Sequence, residues 1–368
     1  LSSKSTSPGS SAVALVGCGR IGHLLEDDPL RYKPCTHYGG AAAAGITITH
    51  ACDVNAGRLA RFSERAGIPE SNRFAEYRAL ITDVRPGIVI IATWTDSHAE
   101  IGALAARNGA RVIMCEKPIA HDLAAARRLI SACARHGVRL VVNHERRYES
   151  RYRAVHDMLA NGVIGEVTSA WGCVHTGNYR GASHPAEGGG PLLHDGTHLI
   201  DIIRFLLGDI RTVEGAFTRS GRRRGYEDRA TAWLTTRSGT DVFIEAGGGR
   251  KYFSFELHLS GTEGRIVIGN GYQALYRARP SRLYRGFRDL VETPFPAVDG
   301  VNCFTRAYRE VKRLANDPDA PITSSGRDGY RALEAVHAVY LSASQKGKRV
   351  ELPVKPGMID LRAIFKLS

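Results

Sequence analysis

From residue 11 to about 142, short apolar runs alternate with stretches of helical period. This pattern constrains the fold more than any other feature. A run that is apolar at every position suits a strand covered on both faces, and strands of that kind belong to parallel sheets wrapped by helices. The runs are 12–16, 46–52, 88–92, 111–115 and 138–142. Between them, 56–66, 97–108 and 122–136 read as helices, each running into a glycine placed to close it. The spacing predicts repeated βαβ units over 12–145. One stretch departs from it: 26–45 carries Asp27-Asp28-Pro29, Pro34 and Gly39-Gly40 and is expected to be an inserted loop beside the sheet.

The second half changes period. Runs at 165–175, 212–218, 230–236, 241–246, 254–260 and 264–268 alternate as half-buried strands do, separated by turns such as Gly261-Thr262-Glu263-Gly264. Helical runs at 152–161, 194–207, 304–316 and 326–344 would cover one face of that sheet. The expected architecture is an α/β chain. A Rossmann domain of doubly wound parallel sheet at 12–145 precedes an α+β domain at 146–350 with an open, largely antiparallel sheet. A polar leader at 1–11 and a tail at 351–368 flank them.

Composition excludes several classes. The leader is Ser-rich with no apolar core of the kind an export signal needs, and no run approaches a membrane span. Seven scattered cysteines without a CxxC pair argue against a disulfide framework and for a reducing, cytoplasmic setting. The formal charge of +13 comes from dispersed arginines, among them Arg222–Arg224, Arg277, Arg279, Arg282, Arg285 and Arg288. No nucleic-acid motif accompanies them, so a solvated loop or subunit contact is the expectation rather than a nucleic-acid partner.

The first apolar run ends in Gly17-Cys18-Gly19-Arg20-Ile21-Gly22. Glycines at this spacing, after a strand and opening a helix, turn the chain tightly and let backbone N–H groups approach a pyrophosphate. The second run ends in Asp53, whose carboxylate can accept from adenosine ribose hydroxyls and would repel a 2'-phosphate, so NAD is expected. The plainer reading of Asp53 is a helix N-cap. Arg58 and Arg61 keep NADP open as the lesser alternative.

Two further motifs follow in order: Cys115-Glu116-Lys117-Pro118, and the run from Gly188-Gly189-Gly190 through His194-Asp195-Gly196-Thr197-His198 to Asp201. With the glycine turn and Asn143-His144-Glu145-Arg146-Arg147-Tyr148, they resemble the glucose-fructose oxidoreductase / inositol dehydrogenase / MocA family over nearly the whole chain. That resemblance implies NAD(P)-dependent oxidation or reduction of sugars, cyclitols and related polyols by homodimers or homotetramers. It implies that Lys117 donates to the reacting oxygen and that His198 acts as acid and base, for which an imidazole is suited. Glu116 is expected to position the lysine and to lie in the cofactor site with it.

The family usually has an aspartate four residues before the histidine. Here His194 stands there, with Asp195 next to it. Either could orient His198 from a helical face, as a shifted relay or as a histidine pair. Metal binding by His194, Asp195 and His198 is a further, weaker reading, and no metal is expected. Thr93, Trp94 and His98 stand where the family has a cofactor-lining turn, with Trp94 replacing a proline. Helix capping explains that stretch equally well. Asn143, Arg147 and Tyr179 are candidate substrate contacts, as are His194, His198 and Lys117. His175, Arg180 and His184 belong to the loop that could line the same pocket, or are plain loop residues. Two rivals stand beside the dehydrogenase: an enzyme that retains NAD and uses transient oxidation to cleave a neighbouring bond, and a non-catalytic NAD-binding sensor.

Overall fold

The computed structural model describes residues 11–176, 189–219, 226–355 and 357–365. It divides into two compact units, Leu1–Tyr148 with Val301–Tyr330, and Glu149–Gly300 with Arg331–Ser368.

In the first unit six strands form a parallel sheet: β1 (Val13–Val16), β2 (His50–Cys52), β3 (Arg73–Phe74), β4 (Ile88–Ile91), β5 (Val112–Cys115) and β6 (Arg139–Val142). Their order is β3-β2-β1-β4-β5-β6, so the direction of winding reverses between β1 and β4. Ligands of such sheets bind outside the carboxyl ends of the strands at that reversal. β1, β4 and β5 are buried at every position, as their unbroken apolar composition requires. Three long helices, Ala56–Ala66, Thr95–Arg107 and Leu123–Arg135, fall where the helical period put them. The first is closed by Gly67, whose φ of +66° a side chain would oppose.

Three expectations need correction here. The run 46–52 is strand only from His50, because Ile46 and Ile48 are buried as core in the connection that leads into it. The stretch 26–45 is not simply a loop: it contains the helix His37–Ala43, capped by Thr36 Oγ1 accepting from the Gly39 N–H. Gly40, read from sequence as a breaker, lets this helix lie against Phe304 and Tyr308, where a Cβ would come within 2.8 Å of the tyrosine ring. The third concerns Val301–Tyr330, expected in the second domain but part of the first unit. Its helix Cys303–Asn316 buries Phe304, Ala307, Tyr308, Val311 and Leu314 in one core with Val13, Leu15 and Ala41. Helical period tells that a face is buried, not what buries it.

The second unit is built on nine strands: β7 (Val167–His175), β8 (Ile210–Thr218), β9 (Arg229–Thr236), β10 (Asp241–Gly247), β11 (Ser254–Gly261), β12 (Gly264–Gly269), β13 (Tyr272–Pro280), β14 (Arg288–Thr293) and β15 (Val350–Glu351). The order is β14-β13-β12-β11-β7-β10-β9-β8-β15, antiparallel throughout except for the β7–β10 pair. Arg277, Arg279 and Arg288 thus belong to a two-stranded extension of the sheet that the sequence reading did not foresee. β15 pairs with β8, so the segment taken as a tail begins inside the sheet. The helix Thr197–Leu207 buries Leu199, Ile200, Ile202 and Ile203. Gly172 of β7 gives it room, since a Cβ there would stand 2.9 Å from Leu199. No helix among the described residues is long and apolar enough to cross a membrane.

Candidate active site

In the first unit the glycine turn leaves the end of β1 with no space for side chains on its inner side. Gly17 has φ +100°, and a Cβ on it would come within 2.5 Å of the Ala92 carbonyl oxygen. A Cβ on Gly22 would overlap the Gly17 carbonyl. Gly19 differs: a Cβ there would meet no protein atom within 4 Å, so packing does not require this glycine. A bare backbone at that position fits the close approach of a pyrophosphate. Arg20 is exposed and Ile21 packs against the core of the unit. After the turn the helical bonds last barely one turn before the short 3₁₀ segment Leu24–Asp27, so no long helix follows at once.

Asp53 is 8% exposed and uses both oxygens on backbone: Oδ2 accepts from Cys18 N–H and Oδ1 from Asn55 N–H, each at 2.8 Å. It therefore ties the end of β2 to the glycine turn. Asn55, not Asp53, caps the following helix through the Arg58 N–H. Each carboxylate oxygen keeps acceptor capacity beyond these bonds. Gly17, Gly19, Arg20, Ile21, Gly22 and Asp53 are thus the residues that would hold a dinucleotide, and their geometry fits one.

The ends of β4, β5 and β6 carry the next candidates. Thr93 Oγ1 bonds Ser97 Oγ at 2.7 Å, while Trp94 is 56% exposed and offers no side-chain cap to the helix after it. His98 is buried, its ring nitrogens 3.0 Å from the Thr93 and Pro118 carbonyl oxygens. Burial pushes its imidazole down from the usual value. The neutral ring donates to one carbonyl at a time. His98 so links the turn after β4 to the chain just after Lys117.

Glu116 is the centre of a buried network. Its Oε1 lies 3.0 Å from His37 Nε2 and accepts from Asn143 Nδ2 at 2.6 Å, while Oε2 accepts from the Lys117 N–H at 3.2 Å. His37 in turn meets the Tyr308 hydroxyl at 2.7 Å. Burial alone would push this carboxyl up, but the hydrogen bond and charge of His37, with the Lys117 ammonium and the Asn143 amide, bring it down to about 2. The sequence reading missed His37 and Tyr308, which no motif marks. Asn143, expected at the substrate, is 1% exposed and spends its amide on Glu116. Its Oδ1 has no partner among the described residues. Arg147, a candidate substrate contact, is also buried, with Nη1 on the Thr323 carbonyl at 3.0 Å and near Asp328 at 3.2 Å, so these contacts use its guanidinium within the first unit. Glu145, between them, is pushed up to about 7 by burial, against the pull of Arg146 and Lys117.

This network yields a stability prediction. Leaving a buried acceptor short of a hydrogen-bond donor costs about 1–3 kcal/mol. Asn143 still serves Glu116, so His37→Leu is expected to cost about 2 kcal/mol by urea unfolding at neutral pH. The folded Glu116 carboxyl lies below its unfolded value of about 4.3. Its stabilisation is therefore present above that value and is lost as the pH falls toward about 2. The deficit of His37→Leu is expected to shrink over that window. An undiminished deficit at pH 3 would assign the cost to packing alone.

In the second unit, the segment with the remaining candidates opens in a widened turn, Leu192–Gly196, and continues as the helix Thr197–Leu207. The expectation that 194, 195 and 198 relate as on a regular α-helix needs correction, since a widened turn advances fewer degrees per residue. His194 Nδ1 and Asp195 Oδ1 lie 3.0 Å apart, an imidazole and carboxylate side by side and both partly exposed. His198 is buried on the helix that follows. His175, at the end of β7, lies 3.4 Å from Glu245. Among the described residues no group of three or more His, Cys, Asp or Glu is placed to hold a metal ion. Tyr179, Arg180, His184 and Arg222–Arg224 lie outside the described residues.

Comparison with known proteins gives this geometry its context. Residues 11–144 match the oxidoreductase family with an NAD-binding Rossmann fold, and 152–267 match the GFO/IDH/MocA C-terminal domain. A D-apiose dehydrogenase of Paraburkholderia graminis is 31% identical over 328 residues, 84% of each chain. An inositol 2-dehydrogenase of Salmonella paratyphi B is 29% identical over 353 residues, 93% of this chain and 97% of that one. Among solved structures, the WlbA dehydrogenase of Bordetella pertussis in complex with NADH and UDP-GlcNAcA superposes with a TM-score of 0.76 over 94% of this chain and 100% of that one, at 20% identity. That last likeness shows the fold. On the two domain matches and the extended identity, the chain belongs to the Gfo/Idh/MocA family of oxidoreductases, with an NAD-binding Rossmann domain at its amino-terminal side.

Proposed function

We propose that this oxidoreductase interconverts a carbinol and a ketone on a sugar, cyclitol or related polyol, with NAD in preference to NADP. The observation that carries the reading is the buried Glu116 network. It fixes the backbone of Lys117 at the end of β5, on the sheet edge where Gly17 and Thr93 end β1 and β4. The named relatives support the substrate class, since D-apiose and inositol dehydrogenases align over most of the chain. Asp53, a carboxylate beside the glycine turn, supports NAD over a cofactor with a 2'-phosphate.

When bound, the nicotinamide supplies the hydride acceptor and donor. The chain's own part is positioning and proton handling. The Lys117 ammonium donates to the substrate oxygen and stabilises the negative charge that grows there. His198 takes the hydroxyl proton in oxidation and returns it in reduction. His194 and Asp195, hydrogen-bonded to each other, make a coupled pair that takes the orienting role the family gives to one aspartate. We also read the active form as a homodimer or homotetramer, because Trp233, Tyr272, Leu290 and Val291 stand exposed on the large sheet; sedimentation velocity reads this directly.

The test is an absorbance screen of purified protein against sugars, cyclitols and their keto forms, with NAD(H) and NADP(H) in parallel. Turnover with NAD(H) and a polyol supports the reading. Silence across the panel from protein that binds NADH would shift it to a sensor, and bond cleavage without net NADH to the NAD-retaining rival.

A further inference from the structure

A buried carboxyl in the second unit has no part in the chemistry described so far. Glu227, just before β9, is 3% exposed. Its Oε1 accepts from the Leu192 N–H at 2.9 Å and from the Tyr340 hydroxyl at 3.0 Å. Leu192 opens the widened turn that carries His194 and Asp195 and leads into His198. A free N–H at the start of a helical segment needs an acceptor, and a carboxylate there also meets the positive end of the helix dipole. Gly190 lies directly against the carboxyl, since a Cβ on it would overlap the Glu227 side chain. Gly189, with φ +74°, would collide with Leu193 if it bore a Cβ, so the approach to the turn has no slack.

We propose that Glu227 is a positioning residue for the segment bearing His194, Asp195 and His198, gripping its first turn through the Leu192 N–H with a strength set by its own ionisation. The inference rests on the acid–base role assigned to His198 and extends it to a residue that touches neither substrate nor cofactor.

Three observations support it. Oε2 is buried without a partner among the described residues, an arrangement that disfavours the charged form. Burial accordingly pushes the carboxyl up to about 7, with Asp228 adding to the rise and the Leu192 N–H and Tyr340 hydroxyl opposing it. Among the described residues, the titratable groups around it are Asp228, Tyr340, Tyr226 and the pair on the gripped turn. Asp228 follows it in the chain, Tyr340 comes from the helix Gly326–Ser344, and His194 and Asp195 on the gripped turn are engaged with each other at 3.0 Å. The carboxyl thus changes charge near neutral pH. The ionised form accepts more strongly from Leu192 than the neutral form does.

The sign follows from linkage. A carboxyl raised in the folded state binds more protons there than in the unfolded chain, so stability falls as pH rises from about 4.3 to about 7 and then levels. The experiment measures Tm and backbone hydrogen exchange of the 190–198 segment from pH 5 to 9, together with the pH profile of kcat. It compares the natural chain with Glu227→Gln and Tyr340→Phe. The fall in Tm across that window is expected to become shallower in Glu227→Gln, the remainder belonging to Glu145, which burial also raises to about 7. In Tyr340→Phe it should extend to higher pH, because a donor that favours the ionised form is gone. The pH-dependent gain in protection at Leu192 and the kcat inflection near pH 7 should vanish and move in the same two variants, with KM nearly unchanged. Glu227→Gln with the natural pH dependence in Tm and exchange would overturn the proposal. So would a uniform loss of kcat at every pH with Leu192 protection unaltered. The Tm and exchange arms need no turnover, so a chain that proved inactive would overturn the dehydrogenase reading while still deciding the grip at Leu192.

Discussion

Asparagine in place of His198 is expected to lower kcat by about 10²–10⁴-fold, the range a positioned acid–base group supplies. The substitution is chosen to leave the fold in place. His198 sits on a helix whose stability comes from Leu199, Ile200, Ile202 and Ile203, all buried, and asparagine keeps a polar group of similar reach. Binding of NADH, assigned to the glycine turn of the other unit, should be unchanged. Steady-state kinetics, NADH fluorescence titration and a thermal scan on one preparation separate the cases. A lost kcat with Tm and NADH affinity retained supports the acid–base role. A Tm lowered in step with activity would make His198 a packing residue.

Methionine in place of Lys117 is expected to cost about 10²–10³-fold in kcat, the penalty for removing one donor from a developing oxyanion. Methionine keeps an unbranched apolar stem and deletes the charge. The backbone at this point is held independently of the side chain, by Glu116 Oε2 on the Lys117 N–H and by His98 against the Pro118 carbonyl. The loss should therefore fall on kcat more than on KM. Arginine is not expected to restore it, because a planar guanidinium cannot occupy the place of a compact ammonium. Full activity in Lys117→Met would remove the lysine from the chemistry.

Much of the scaffold was legible in the sequence because its physics is local. Buried parallel strands such as Ile88–Ile91 and Val112–Cys115 must be apolar at every position, and helices such as Ala56–Ala66 close on glycine. The glycine turn is legible for the same reason, since the backbone at Gly17 admits no side chain. What stayed hidden depends on contacts between distant segments. His37 lies in a stretch whose glycines and prolines read as a loop, yet Gly40 is the surface against which Phe304 and Tyr308 pack. The helix Cys303–Asn316 carried a clear apolar face with nothing local to say that its partner was the first sheet. The exposed hairpin of β13 and β14, rich in arginine, lacks the burial that makes a strand visible in sequence.

The candidate site divides along the same line. Lys117, Glu116 and His198 stand in motifs whose spacing is fixed by strand ends and helix turns. Asp53 was placed correctly at the end of β2, but its bond to the Cys18 N–H depends on a loop closure of 35 residues that no local pattern encodes. The pairing of His194 with Asp195 arises in a widened turn, whereas face arguments from sequence assume 3.6 residues per turn. Arg147 was attractive because it is charged and follows β6, yet it is committed to Thr323 and Asp328 from a segment more than a hundred residues away.

The central claim is that a hydride leaves the carbinol carbon of a polyol for the nicotinamide. It is tested most directly by isotopic label: the polyol that gives turnover, deuterated at the carbon that becomes the ketone, incubated with NAD, and the reduced cofactor and product analysed by mass spectrometry and NMR. The expected result is one deuterium per reduced cofactor at C4 of the nicotinamide, and a ketone product without it. Deuterium retained on the product, or exchanged into water while the cofactor ends oxidised, would contradict net hydride transfer.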